Sequence, residues 1–188
     1  RKVGEKIISI QFKQLKSLQA SLKDKPIDFT PLTLKQDKDL PKCILLDLDG
    51  TIAHNNDKRS PYDWDKVGQD TVDESLFEVL DCIMFSNMVE EEYYGSGVST
   101  LDIIVCTGRD GICTDESIKW CSKHDIKTKE FHSRPQGDMR PDWQVKEEMW
   151  RDISTRFNII GLLDDRNQVV DRARSLGLKV FQVEYNNF

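Results

Sequence analysis

No apolar run in this 188-residue sequence approaches the roughly 20 residues that a membrane-spanning helix requires. Nor does an apolar signal core with a small-residue cleavage site stand near its start. These two absences set the expectation of a cytoplasmic protein with no membrane partner. Cysteine is scarce, with five residues and neither a CxxC pair nor zinc-ligand spacing. An odd count outside such patterns suits reduced thiols better than a disulfide framework. Histidine is scarcer still. His54, His124 and His132 are scattered, lack metal-ligand spacing and are expected on the surface or in loops. Excess positive charge is also missing. A net charge of -6 argues against a generic basic coat for nucleic acid, but leaves room for a local basic cleft.

What remains is enough for one good core with a small appendage. Ile8, Leu15, Leu18 and Leu22 fall near helical spacing within residues 4–22, with lysines interleaved. Pro26, Pro31 and Pro41 punctuate the next stretch of chain, which reads as a linker. Residues 1–41 are therefore expected to be a helix and linker from a larger parent protein, and 42–188 a compact domain. From residue 43 onward strand and helix patterns alternate. Strands are expected over 43–48, 101–106, 127–131, 159–163 and 178–183, and helices over 72–91, 114–124, 143–157 and 166–176. Such alternation predicts an α/β fold: a Rossmann-like parallel sheet flanked by helices. In such sheets ligands bind beyond the carboxyl ends of the strands.

The residues at those ends carry the chemistry. The run Cys43-Ile44-Leu45-Leu46 leads into Asp47-Leu48-Asp49-Gly50-Thr51. Asp47 and Asp49 are two apart, so alternation along a strand projects them similarly. Gly50 lets the chain turn sharply away. A calcium loop of the EF-hand kind would need glutamate at its twelfth position, which is Lys58 here. A plain surface turn would explain Gly50 but not the apolar strand before it. Two carboxylates at a strand end suit a divalent cation and nucleophilic or acid–base chemistry. The second strand ends in Thr107-Gly108-Arg109. There a hydroxyl and main-chain amides can hold phosphate oxygens, and Arg109 can bind phosphate bidentately. The fourth ends in Asp164-Asp165-Arg166. One aspartate would cap the following helix, but two in succession favour a cation site. Lys146, early in a helix, would be an ordinary solvated lysine were a cation not needed near phosphate.

Taken in order, strand–DxDGT, strand–TGR, a lysine and strand–DD resemble the haloacid dehalogenase superfamily of phosphotransferases. The resemblance narrows with Ser60-Pro61-Tyr62-Asp63, Arg134-Pro135-Gln136-Gly137-Asp138, Val145-Lys146-Glu147-Glu148 and Asp164-Asp165-Arg166-Asn167-Gln168. Over about 43–188 the chain is similar to the 3′-phosphatase domain of bacteriophage-type polynucleotide kinase/phosphatases. Residues 86–100, with Glu90-Glu91-Glu92, depart from that pattern.

The resemblance implies Asp47 as nucleophile, Asp49 as general acid and then base, and Thr107 and Lys146 as holders of the phosphoryl oxygens. It implies substrate contacts from Thr51, Arg109 and Arg134. Mg2+ would lie among Asp47, the main-chain carbonyl of Asp49, and Asp164 or Asp165. A P-loop kinase precedes the phosphatase in that family; no GxxxxGK[ST] occurs here, so a linked kinase would belong to the parent protein. The spans between motifs leave room for a flap but not a folded cap, and an open site suits a DNA or RNA 3′ end. Arg109, Arg134, Arg140 and Arg166 could make its mouth locally positive. A phosphatase for nucleotides or other small esters, and a non-catalytic end-binding domain, are the alternatives. Oligomerisation is left open.

Overall fold

The computed structural model describes residues 33–95 and 100–186. The helix expected over 4–22 lies outside the described residues. The sheet holds five parallel strands in the order β5-β4-β1-β6-β7. They are β1 (Lys42–Leu46), β4 (Leu101–Asp110), β5 (Glu130–Arg134), β6 (Asn158–Arg166) and β7 (Val180–Asn186). Between β1 and β4 come a two-stranded ribbon of β2 (Ala53–His54) and β3 (Thr71–Val72), a 3-10 turn over Trp64–Gln69, and helix α1 (Glu74–Tyr94). Helices α2 (Thr114–Lys123), α3 (Asp142–Ile153) and α4 (Asn167–Ser175) complete the alternation. The parallel α/β sheet expected from the sequence is the fold observed.

The apolar run of β1 is continuous because both faces of the strand are covered. Cys43 and Leu45 face a core built with Val145, Met149, Trp150 and Ile153 of α3 and Val169 and Ala173 of α4. Ile44 and Leu46 face the opposite core, with Leu76 and Leu80 of α1 and Trp120 and Cys121 of α2. Leu34 is buried in the first core, and its amide donates to the Leu176 carbonyl at 2.8 Å. The packed region thus reaches back into the segment expected to be linker. All five cysteines are free thiols, and four are buried. Among the described residues, no helix is long and apolar enough to cross a membrane.

The chain runs from β1 out to β4 and β5, then crosses to β6 on the other side of β1. The order therefore reverses beside β1, where open α/β sheets form ligand sites. Two further features lie at this edge. β4 and β6 run past their expected ends, so the Thr107-Gly108-Arg109 and Asp164-Asp165-Arg166 motifs sit inside strand tails. Register shifts interrupt the pairing between Thr107 and Asp110 and between Asp164 and Arg166. Such irregularities re-aim side chains, and no hydrophobic pattern announces them.

Candidate active site

The turn after β1 is wound around one carbonyl. The amides of Thr51, Ile52 and Ala53 all donate to Leu48 O, at 3.1, 3.0 and 2.8 Å. Gly50 stands at φ 80°, a conformation that costs an L-residue roughly 1–2 kcal/mol. A Cβ there would also collide with the Asp165 carboxylate. Gly50→Ala should therefore lower the melting temperature by a few degrees and cut the phosphatase activity expected from the sequence at least about tenfold. Thermal melting and phosphate release on the same preparation check both effects.

This winding, with the Asp47 amide donating to Leu163 O at 3.0 Å, sets Asp47 beside the end of β6. Asp47, Asp164 and Asp165 are all buried, and each offers an oxygen within 4.8 Å of the others. Thr51 Oγ1 donates to Asp47 at 3.3 Å or to Asp165 at 3.4 Å. Lys146 enters from α3 and is 1% exposed. Its ammonium lies 2.7 Å from Asp47, 2.8 Å from Asp164 and 3.5 Å from Asp142. The structure brings Asp47, Lys146, Asp164 and Asp165 together, and Thr51, expected to touch substrate, bonds within this cluster instead. Thr107 is buried on the neighbouring strand tail, and its hydroxyl accepts from the Arg109 amide at 3.2 Å.

Carboxylates predominate in the cluster, and Arg166, 3.3 Å from Asp142, joins Lys146 against them. Burial drives the Asp47 carboxyl well above the ordinary carboxylate range; Lys146 pulls it part of the way back, while Asp164, Asp165 and Asp142 push it further up. Burial also raises Asp164, against the pull of Lys146. Lys146 itself is driven well above its usual value, since Asp142, Asp164 and Asp47 outweigh the effect of its burial. Oxygen-only donors crowded around one ammonium fit a hard divalent cation such as Mg2+.

Asp49 lives in a different environment. Arg109 holds it bidentately, with Nε and Nη2 donating at 2.7 and 2.8 Å. Arg59 adds a third bond at 2.9 Å. Behind both guanidiniums sits buried Asp70, which accepts from Arg59 at 2.7 and 2.6 Å and from Arg109 at 2.7 Å. Burial alone would raise the Asp49 pKa, but the bonds and charges of Arg109 and Arg59 more than offset it and hold it below the usual range. The Asp49 side chain is still 38% exposed, so it faces the cleft.

The expected basic mouth is therefore partly committed inward. Arg109 is buried on Asp49 and Asp70. Arg134 donates to the carbonyls of Gly108, Asp138 and Arg140 and to Asp142. Arg140 pairs with Asp138 and Glu148 at the rim. Arg59, Asp70 and Asp142 were not singled out from the sequence. Asp142 had a signal, since it precedes Lys146 by one helical turn. Arg59 and Asp70 had none, because a charged residue in an aperiodic flap looks solvated. The three histidines lie outside the cluster, half-buried, with His54 on Asp73 and His132 on Glu130.

Above this floor opens a cleft of about 620 Å³, walled by the flap after β1 and by the loop before α3. Among the described residues, the insert after β1 is the ribbon, the 3-10 turn and α1, with no folded cap.

Residues 41–188 match the family described as the polynucleotide kinase PNKP phosphatase domain. The chain belongs to this family. A protein of Autographa californica nuclear polyhedrosis virus, described as a bifunctional polynucleotide kinase/RNA ligase, is 32% identical over 133 residues, which cover 69% of this chain and 17% of that protein. A chain in the structure of the Pnkp1/Rnl/Hen1 RNA repair complex superposes with a TM-score of 0.71 at 31% identity, covering 94% of this chain and 54% of that one. A chain from another structure of the Pnkp1/Rnl/Hen1 complex gives 0.70 at 30% identity, covering 89% and 53%. This PNKP-type phosphatase domain therefore spans about half of the solved chains and less than a fifth of the viral protein.

Proposed function

We propose that this domain removes a 3′-phosphate from a polynucleotide end, with RNA as the natural substrate, through an aspartyl-phosphate on Asp47. The observation that carries this is the buried Asp47–Asp164–Asp165 cluster with Lys146, whose Asp47 lines an open cleft. Membership of the PNKP phosphatase family supports the reading, and the RNA repair complex of the solved relatives supports RNA.

In the first step an Asp47 oxygen attacks phosphorus and the bond from phosphorus to the 3′-oxygen breaks. Asp49 gives that oxygen its proton. To carry the proton Asp49 must loosen its grip on Arg109 and Arg59. An arriving phosphate dianion favours this, because a nearby negative charge raises a carboxyl pKa. In the second step Asp49 takes a proton from water, the water oxygen bonds to phosphorus, and the bond to Asp47 breaks. Inorganic phosphate leaves, Asp47 is again a free carboxylate, and Asp49 again carries the proton that it gave up in the first step. Lys146 and the Thr107 hydroxyl hold the phosphoryl oxygens throughout. Thr51 steadies Asp47 and Asp165. Arg109 and Arg134 serve the substrate through Asp49 and through the rim loop.

Mg2+ held by Asp47, Asp164 or Asp165, and the main-chain carbonyl of Asp49 would offset the repulsion between an anionic nucleophile and an anionic phosphate. A linked kinase domain and a ligase partner follow from the names of the relatives, as proposals for the parent protein.

The test is phosphate release from matched RNA and DNA oligonucleotides carrying 3′ or 5′ phosphates, with Mg2+ and with chelator. Release should favour 3′ over 5′ ends and over small sugar phosphates, favour RNA, and vanish with chelator. Raised salt should weaken oligonucleotide binding. Equal activity on both ends would promote the small-ester alternative. No release from any ester would promote the end-binding one.

A further inference from the structure

The cleft is larger than a phosphate needs, and its rims carry apolar side chains that the chemistry does not use. Tyr62 is 78% exposed on the flap rim, and Met139 is 92% exposed on the opposite loop. Both line the same cleft. Singly, exposed apolar side chains are ordinary, but these two face one cleft and give it apolar walls beside its polar groups, the make-up of a ligand site.

Each stands on a braced loop. Arg59, while clasping Asp49, also donates from Nη1 to the carbonyls of Ser60 and Pro61, both at 3.2 Å. The turn is closed by Asp63 N to Ser60 O and by Trp64 N to Tyr62 O, both at 3.0 Å. Trp64 meets the Tyr62 ring edge-on, with centroids 5.9 Å apart and planes at 86°. An edge contact props the ring while leaving area for a further stack. Across the cleft, Arg134 pins the loop that carries Met139 through the Asp138 and Arg140 carbonyls, at 3.2 and 2.7 Å. Backbone held in place beneath exposed apolar tips is preorganised for a flat, apolar-faced ligand.

We propose that Tyr62, propped by Trp64, stacks on the base of the 3′-terminal nucleotide, with Met139 packing from the facing rim. The proposal rests on the polynucleotide 3′-end reading and names how that end is gripped. Moving away from a phosphate seated on Asp47 and Lys146, the chain's next groups are a ribose and then a base. The base is the part with an apolar face. Stacking tolerates every base, because each has a π-face, and it requires the terminal base to be unpaired. The preferred ligand is thus a single-stranded or frayed 3′ end. Arg59 bonds both the tyrosine loop and the general acid, so stacking and acid placement share one brace.

The experiment compares a 3′-phosphorylated oligonucleotide with the same strand lacking its terminal base. Wild type should show a KM roughly 5- to 150-fold higher on the abasic strand, the range of one base–aromatic stack, with little change in kcat. Tyr62→Ala should raise KM on the intact strand by a similar factor, and its KM should converge with wild type on the abasic strand. Tyr62→Phe keeps the ring and should restore most of the binding. Met139→Ala should act in the same direction more weakly. As a direct readout, 2-aminopurine at the terminal position should be quenched on binding to Asp47→Asn and not to Asp47→Asn/Tyr62→Ala. Base removal changing KM less than twofold in wild type, or Tyr62→Ala acting equally on both strands, would overturn the stack while leaving the 3′-phosphatase reading intact. Failure of wild type to release phosphate from any oligonucleotide would overturn that reading and the stack with it.

Discussion

Asp47→Asn should abolish steady-state phosphate release, by at least about 10³-fold, while the domain stays folded. The amide keeps the shape of the carboxylate and loses the proposed nucleophile. The electrostatics add a second expectation. A carboxyl whose folded pKa lies above its unfolded value stabilises the fold below the unfolded pKa and loses that contribution as pH rises. Asp47 is such a group, raised by burial and then by Asp164, Asp165 and Asp142 despite Lys146. At neutral pH its charge opposes folding. The neutral amide removes that cost, so without metal the variant should melt at the same temperature as wild type or higher. Mg2+ should then stabilise wild type more than the variant, since Asp47 is one of the proposed ligands. Retained turnover above a few per cent would exclude Asp47 as nucleophile. A melting temperature several degrees lower in chelator would show that its charge supports the fold.

How much of this was legible beforehand depends on where the signal sits. Asp47 and Asp164 each directly follow an apolar run, with Asp165 next in line, so strand and carboxylate are read together. Lys146 was legible only through the company it keeps in the motif order. The arginines divide differently. Arg109 follows a strand and was expected to meet phosphate or the nucleic-acid strand, yet its guanidinium is bonded to Asp49 and Asp70. Sequence spacing carries no information about which of two anions an arginine faces. Arg59 and Asp70 meet only because the β2–β3 ribbon folds the flap back, and a ribbon of two residues per strand has no periodicity to detect. The register shifts in β4 and β6 were silent for the same reason. The fold followed from alternating patterns tens of residues long. The clasp on Asp49 depends on single residues brought together from separate loops.

The other large effect is expected at Lys146. Lys146→Met keeps the length and apolar stem of the side chain and removes the charge. It leaves Asp47 and Asp164 in a buried site without the ammonium that lay 2.7 and 2.8 Å from them, while Asp142 keeps Arg134 at 3.0 Å and Arg166 at 3.3 Å. Removing one partner of a buried ion pair typically costs about 3–5 kcal/mol. For a domain of this size that is roughly 6–20 °C in melting temperature. Activity should fall about 10²- to 10³-fold, because the cation proposed to hold the transferring phosphoryl group is lost as well. The two losses have different cures. Adding Asp164→Asn to Lys146→Met removes one of the stranded carboxylates and should recover part of the melting temperature. It should not recover turnover, because neither the ammonium nor the carboxylate returns. Mg2+ should also stabilise Lys146→Met, since the cation can take over part of the lost neutralisation. Thermal melting of both variants with and without Mg2+, beside phosphate release at saturating substrate, separates the two roles. A Lys146→Met protein melting within 2–3 °C of wild type, a shift worth about 1 kcal/mol, would show that the cluster is balanced by something other than this lysine.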